Sequence, residues 1–205
     1  MKLKQLESML SEVNPDFEKP KVDLEQVSTS PHIASRMIFT AANTYDDIEG
    51  CSVADFGVGP GVLSLGAHAM GAASVCGFDC DQDALDLASI NFASFDVQDI
   101  DLVQVDVQTL SLASDFDTVL MNPPFGTRNT GIDTVFLNKA MAHASAVYSL
   151  HKTSTREHFV RIAEARGWKL EVIAELRYDL PKVHKFHKQK SKDIEVDLLR
   201  FHHVA

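Results

Sequence analysis

The spacing of apolar positions divides the chain at residue 52. Before it, Leu3, Leu6, Met9, Leu10 and Val13 recur at helical intervals and predict a short amphipathic helix ending near Asn14-Pro15. Residues 17–31, FEKPKVDLEQVSTSP, mix prolines and polar residues with little periodicity and read as an extended arm. Ser30-Pro31 has the form of an N-cap followed by proline at the first helical position, and Ile33, Met37, Ile38 and Ala41 mark a second helix from His32 to Thr44. From Ser52 onward, short apolar runs alternate with helical stretches. The runs predict strands at Ser52 to Phe56, Ser74 to Phe78, Leu102 to Val107, Phe116 to Met121 and Ala146 to Leu150. Between them, helices are expected at Val62 to Met70, at Asp83 to Phe95 with Ala84, Ala88, Phe92 and Phe95 on one face, and at Asp133 to Ala144. Ser154 and Glu157 have the spacing of a capping box ahead of Phe159, Ile162 and Ala163, in a helix ending at Gly167.

Strands alternating with helices imply right-handed βαβ units and a parallel sheet covered on both faces. Leu170 to Tyr178 and Ile194 to Phe201 instead alternate apolar with charged residues and leave no room for a helical crossover, which predicts an antiparallel pair. The expected fold is therefore α/β: a mostly parallel seven-stranded sheet, helices on both faces and a C-terminal antiparallel hairpin, the Rossmann-like layout of class I methyltransferases. No repeat or low-complexity linker divides it. Residues 1–205 are expected to form one domain, with 1–45 as N-terminal helices and arm and 46–205 as the catalytic core. In the usual strand order of this class, Asp101 to Val107 is an edge strand. Leu102, Val103 and Val105 then leave an apolar edge for an added partner strand or for a loop of the chain itself.

Composition agrees with a globular protein: 205 residues, 45% hydrophobic and 23% charged, long enough for a substantial core. No apolar run approaches a membrane span, and the opening MKLKQLESMLSEV is charged throughout, so the expectation is an intracellular protein without membrane association or a cleaved signal. Cys51, Cys76 and Cys80 read as reduced cysteines; CxxxC without a second pair is a poor zinc site, and no metal is expected in this chain. The net charge of -10 argues against a polyanionic partner until its distribution is read. Lys and Arg are outnumbered 7 to 21 by Asp and Glu before residue 150, but outnumber them 12 to 8 from there on. The segment from Lys182 to Lys192 carries Lys182, Lys185, Lys188, Lys190 and Lys192 with Phe186 and His187 and no acid. It reads as a solvated loop or, next to a substrate site, as a nucleic-acid contact with Phe186 available to stack on a base.

The chemistry gathers at successive strand ends. Asp55-Phe56-Gly57-Val58-Gly59-Pro60-Gly61-Val62 joins the first strand to its helix, and its glycines allow a tight turn and close approach of a ligand. Such a loop serves dinucleotides as well as adenosylmethionine. Asp79, ending the second strand, can accept from a ribose diol; Asp106-Val107, ending the third, can face an adenine amine and cover its ring. The fourth strand runs into Asn122-Pro123-Pro124-Phe125. Two prolines fix φ and cannot continue a central strand, so this is a stiff loop. It can hold the Asn122 side-chain carbonyl and the Pro123 backbone carbonyl toward one point, with the Phe125 ring beside it. That suits a planar amino group: two acceptors orient its N–H bonds and stabilise the charge that develops as a methyl group arrives. An aromatic stacked on a base adds about 1–3 kcal/mol. A hydride-transfer enzyme has no evident use for the fourth strand end. The tetrapeptide alone fits an adenine amine, a glutamine side chain, or a plain proline turn with a core Phe.

Taken at length, the chain resembles the methyltransferase-like protein 5 family. The likeness runs through Phe-Glu-Lys-Pro-Lys at 17–21, Leu-Glu-Gln at 24–26, Pro-His-Ile-Ala at 31–34 and Asn-Thr-Tyr-Asp-Asp-Ile-Glu at 43–49. It continues in the glycine loop, Asn-Pro-Pro-Phe-Gly at 122–126, Ala-Val-Tyr-Ser-Leu-His-Lys at 146–152, Ser-Thr-Arg-Glu-His at 154–158, Glu-Leu-Arg-Tyr-Asp-Leu-Pro at 175–181 and Lys-Phe-His-Lys at 185–188. Val27-Ser28 stands where a Tyr-Pro pair is familiar, and Val58 and Pro60 where cysteines often occur. The resemblance implies transfer of a methyl group from S-adenosylmethionine to the N6 amine of an adenosine in small-subunit (18S) ribosomal RNA. It implies that Gln26 and Thr29 of the arm help close the cofactor site. It further implies a small zinc-containing activator subunit pairing at the edge strand, poor solubility of the chain alone, and residence in nucleus or nucleolus and cytoplasm. Protein glutamine methylation and a non-catalytic RNA-binding scaffold are the alternatives.

Overall fold

The computed structural model describes residues 1–180 and 192–203. Two helices, α1 (Leu3–Leu10) and α2 (Pro31–Thr44), precede the sheet. There follow β1 (Ser52–Phe56), α3 (Val62–Ala69), β2 (Ser74–Asp79), α4 (Gln82–Ser94), β3 (Ile100–Gln104), β4 (Phe116–Met121), α5 (Ile132–Ala142), β5 (Ala144–Lys152), α6 (Arg156–Ala165), β6 (Trp168–Leu180) and β7 (Lys192–His203). The strands form one seven-stranded sheet in the order β3-β2-β1-β4-β5-β7-β6. The first five are parallel, and β7 runs antiparallel to both neighbours. This is the class I methyltransferase fold. From β1 the chain moves outward to β2 and β3, then returns to β4 and continues the other way. The connections leaving β1 and β4 diverge, and a crevice opens at their carboxyl ends.

Strand alternation assigns each side chain to a face. Val53, Val75, Leu120, Tyr148, Leu150, Val196 and Leu198 pack with α1, α2, α3 and α4. Ala54, Phe56, Phe78, Val119, Met121, Val147, Leu199 and Phe201 pack with α5 and α6. Both sets are buried, which is why the inner strands read as nearly continuous apolar runs. No helix among the described residues is long and apolar enough to cross a membrane.

β1 and β4 occupy the residues expected of them, and α2 is capped as expected, with the Ser30 hydroxyl accepting from Ile33 N. β3 does not: it begins at Ile100, buried against the sheet, and ends at Gln104. Asp106 and Val107 leave the strand for a 3-10 turn, Val107–Thr109. The edge position of this strand holds all the same. The arm contains a further 3-10 turn, Val22–Leu24. The capping box at Ser154 is absent, since Thr153–Thr155 forms a 3-10 turn and α6 starts at Arg156 with no side-chain cap. The anchor is Asp197, fully buried on β7, which accepts from Arg156 Nε at 2.7 Å, Arg156 Nη2 at 2.8 Å and Thr153 Oγ1 at 2.7 Å.

Candidate active site

The crevice is lined by the arm (Phe17 and Asp23 to Val27), by the ends of the first four strands, and by α5 with the loop before it. Its floor is the glycine loop. Gly57 N and Val58 N donate to Phe78 O at 2.8 and 3.0 Å, folding the loop back over β2. Gly57, Gly59 and Gly61 have φ of +78, +51 and +86°, left-handed values that L side chains resist. Gly57, Gly59 and Pro60 face the crevice, whereas Gly61 and Val62 turn into the helix layer. A Cβ on Gly61 would stand 2.4 Å from Phe92 Cε1. The loop is tied from behind by Asn91 of α4, buried, whose Nδ2 donates to Pro60 O at 2.8 Å.

The two aspartates of this region do different things. Asp79 lines the crevice, accepting from Gly59 N at 3.1 Å and from Asp81 N at 3.0 Å, and burial raises its pKa. Each carboxylate oxygen keeps accepting capacity after these bonds. Asp55, expected beside the cofactor, does not line the crevice. It shares alternation parity with Val53 and points beneath α3, where it is 1% exposed and accepts from Ser64 N at 3.1 Å and Ser64 Oγ at 2.7 Å. Burial, only partly offset by the Ser64 donors, pushes its carboxyl up to about 7. Its function is to hold the start of α3 and with it the glycine loop.

The arm closes one side. Gln26 lines the crevice, but its amide is engaged: Oε1 accepts from Lys21 N at 2.7 Å and Nε2 donates to Asp81 Oδ2 at 2.6 Å. Lys21 donates to Asp81 as well, and lies 2.8 Å from Asp83. Burial works against the Asp81 carboxylate, yet the Lys21 and Gln26 donors hold its pKa below the usual range. Glu25 takes a left-handed conformation, φ +49°, and its Oε1 accepts from Arg128 N at 2.7 Å, joining the arm to the loop that follows the proline motif. Thr29, 6% exposed, stands behind the crevice wall.

Next to the arm, Asn122 and Pro124 also face the crevice; Met121, just before them, pairs with Phe56, just before the glycine loop. Asn122 Nδ2 donates to Thr29 Oγ1 at 3.0 Å and to Val27 O at 3.3 Å, so the arm holds the amide. Pro123 is buried, and Phe125 is 9% exposed and packs with the core on the α1–α4 face. Contrary to expectation, the Phe125 ring is not part of the crevice wall; it supports the loop from below. Lys152 Nζ donates to Phe125 O at 3.1 Å and lies 6.0 Å from its ring centroid. Asp106 and Val107 line the crevice from their 3-10 turn, with Asp106 Oδ1 capping it through Gln108 N at 2.8 Å.

Sequence reading missed Phe17, Asn129, Ile132 and Phe136, all on the crevice wall. Ile132 and Phe136 are spaced four apart at the start of α5, directly after the proline loop, and that spacing was a usable signal. Phe17 could not be placed, since nothing local says where an irregular arm will dock. Of the basic segment, Lys182, Lys185, Phe186, His187, Lys188 and Lys190 lie outside the described residues, and Lys192 begins β7.

Comparison with known proteins fits this geometry. The methyltransferase small domain model matches residues 26–151, from the arm to the end of β5. Curated relatives include the rRNA N(6)-adenosine-methyltransferase METTL5 of Danio rerio, 57% identical over 98% of this chain and 99% of that one. The Drosophila melanogaster protein of the same description is 47% identical over 98% and 96%. A solved structure from Pyrococcus horikoshii, 34% identical, superposes with a TM-score of 0.89 over 100% of this chain and 99% of its own. Likeness of this extent takes in the arm, the glycine loop and the proline loop together, and the chain belongs to the METTL5 family of rRNA N6-adenosine methyltransferases.

Proposed function

We propose that the crevice binds S-adenosylmethionine and that the Asn122-Pro123-Pro124-Phe125 loop presents the N6 amine of an adenosine in small-subunit (18S) ribosomal RNA to its methyl group. The observation that carries this reading is the position of Asn122: on the crevice wall beside the glycine loop, since Met121 pairs with Phe56, and with its amide held by the arm. The lining suits the cofactor. Left-handed glycines let backbone approach without a Cβ, and the Asp79 carboxylate can accept from ribose hydroxyls. Asp106 can accept from the adenine amine, with Val107 and the aromatic rings of Phe17 and Phe136 as apolar cover. S-adenosylmethionine supplies an electrophilic methyl on a sulfonium. An adenine amine is a weak nucleophile because its lone pair is delocalised into the ring. Asn122 Oδ1 and Pro123 O, accepting its two N–H bonds, orient that lone pair and stabilise positive charge as the new bond forms. The methylated nitrogen is acidic and gives its proton to water, so no dedicated base is needed.

The descriptions of the relatives support adenine in ribosomal RNA over a protein glutamine. Lys152, Ser154 and Arg177 frame a second recess with Ile194 and Glu195, next to the proline loop through the Lys152–Phe125 bond, and its two cations, Lys152 and Arg177, are available to RNA phosphates. β3 pairs only with β2 among the described residues, and Val103 on it is 39% exposed. An apolar open edge of this kind supports a strand-pairing partner, and the family resemblance implies that this is a small zinc-containing activator subunit. A ribosomal RNA substrate supports residence in the nucleus or nucleolus and the cytoplasm. The test is to incubate the chain, co-purified with that subunit, with labelled S-adenosylmethionine and either ribosomal RNA or release-factor protein. RNA becomes labelled at adenine N6, and Asn122→Ala abolishes labelling while retaining cofactor affinity. Label in protein alone, or full turnover by Asn122→Ala, refutes the reading.

A further inference from the structure

Along the carboxyl edge of the parallel strands, the site residues follow the order of the sheet. Asp106, Asp79 and the glycine loop come after β3, β2 and β1, and Asn122 comes after β4. Beyond β4 the same edge continues through β5, β7 and β6. A cofactor in the first half leaves the second half for the chain that carries the target adenosine. That half holds a recess of about 420 Å³, framed by Lys152 at the end of β5, Ser154 in the turn after it, Arg177 on β6, and Ile194 and Glu195 near the start of β7. Register places Glu195 opposite Arg177, and next to Val196, the partner of Lys152. The recess adjoins the proline loop, because Lys152 Nζ donates to Phe125 O at 3.1 Å.

We infer that this recess holds the ribose–phosphate of the nucleotide next to the target adenosine, and that Glu195 makes it a site for RNA rather than DNA; the inference rests on the reaction proposed above. The fold does not use up the two cations. Arg156, two residues after Ser154, is committed to the buried Asp197 and to Glu175. Among the described residues, no carboxylate lies within ion-pair distance of Lys152 or Arg177. Lys152 gives one of its three donors to Phe125 O and keeps two. Two available cations beside a carboxylate do not suit a bare anion, which Glu195 would repel. They suit a nucleotide. Its phosphate takes charge-assisted bonds from Lys152 and Arg177, and its 2′-hydroxyl, which DNA lacks, donates to Glu195. The Ser154 hydroxyl can serve either group, and Ile194 gives the sugar apolar cover. Asn122 and Pro123 fit an adenine amine in RNA and DNA alike, so preference for RNA has to come from contacts of this kind. A phosphate fixed here also sets the register in which the neighbouring base meets the proline loop.

The test is equilibrium binding of a small-subunit ribosomal RNA fragment to the full chain, with the proposed activator subunit and S-adenosylhomocysteine present, so that no turnover is needed. The fragment is synthesised with a single neutral methylphosphonate linkage, or a single 2′-deoxy sugar, at successive positions. Arg177 and Glu195 are exposed, so their substitution spares the core, whereas Lys152 also supports the proline loop and is left intact. Arg177→Gln weakens binding by about tenfold and flattens the slope of log affinity against log salt by about 0.7, the loss of one phosphate contact to a single strand. Cofactor affinity is retained. In wild type, one neutral linkage reproduces that loss, and the same linkage adds nothing further in Arg177→Gln. At the adjoining sugar, 2′-deoxy substitution weakens wild type by about fivefold and leaves Glu195→Ala indifferent. Wild-type affinity in Arg177→Gln overturns the inference. So does a loss to which every neutral linkage adds as it does in wild type, the mark of a general field rather than a contact, and so does a 2′-deoxy effect that persists in Glu195→Ala. RNA that binds with these couplings but is never labelled refutes the proposed reaction and leaves the recess assigned.

Discussion

Gly61→Ala separates two demands that the glycine loop places on one residue. The first is conformational: φ of +86° in an L residue costs about 1–2 kcal/mol. The second is steric. The new Cβ would lie 2.4 Å from Phe92 Cε1, 2.8 Å from Phe92 Cζ and 3.3 Å from Ala88 Cβ. Phe92 is 4% exposed, so its ring cannot swing into solvent, and overpacking of this kind typically costs about 1–3 kcal/mol. Together these give a loss of roughly 2–5 kcal/mol, a large share of the stability of an ordinary domain. Gly50 provides an internal reference: its φ is +73°, yet a Cβ there would meet nothing within 4 Å. Gly50→Ala should show the conformational cost alone. Equilibrium urea unfolding of both variants reads the difference, and adding Phe92→Leu to Gly61→Ala should recover the steric part and leave the rest. Equal destabilisation of the two glycine variants, or no coupling between positions 61 and 92, would refute the account of why this loop packs as it does.

Two further outcomes follow from the same physical picture. Asp55 has a folded-state pKa of about 7, above its unfolded value, so the stability its neutral form contributes is complete below about pH 4 and is lost as pH rises through 7. Unfolding free energy of wild type should fall across that range more steeply than that of Asp55→Asn; parallel curves would show that Asp55 does not titrate with folding. At the open edge of the sheet, Val103→Lys places charge on the exposed strand and should reduce co-purification of the proposed activator subunit by about tenfold while sparing thermal stability. Undiminished recovery of the complex would move the interface elsewhere.

Much of the fold was legible because apolar runs bounded by glycine and proline left little freedom in placing β1 and β4. β3 was harder. An edge strand is buried on fewer sides, and Asp101 and Gln104 interrupt its apolar pattern, so the run appeared to continue as far as Val107, although the strand ends at Gln104 and only Val105 N still donates to β2, to Asp79 O at 2.8 Å. The start of α6 was misread because a local capping signal at Ser154 competed with a buried partner 41 positions from Arg156, which no local pattern displays. In the site, strand ends identified Asp79, Asp106 and Asn122. Asp55 could have been separated from them, since it shares alternation parity with Val53, on the face that packs beneath α3. What could not be read was the docking of the arm, because Phe17, Gln26 and Thr29 meet their surroundings only through tertiary structure.

The arm precedes in the chain every one of its partners in the crevice. Its partners Asp81, Asn122 and Arg128 lie 60, 93 and 103 positions further on. Closing loops of that length carries a large entropic cost, returned only after the sheet as far as β4 has formed. This predicts an order of assembly, the floor with its glycine loop first and the arm after it. A segment that docks last and is held by a few polar bonds is also released most cheaply, well below the free energy of global unfolding. On the proposed reading, a spent cofactor would be exchanged for a fresh one by undocking the arm, while the sheet and its helices stay folded.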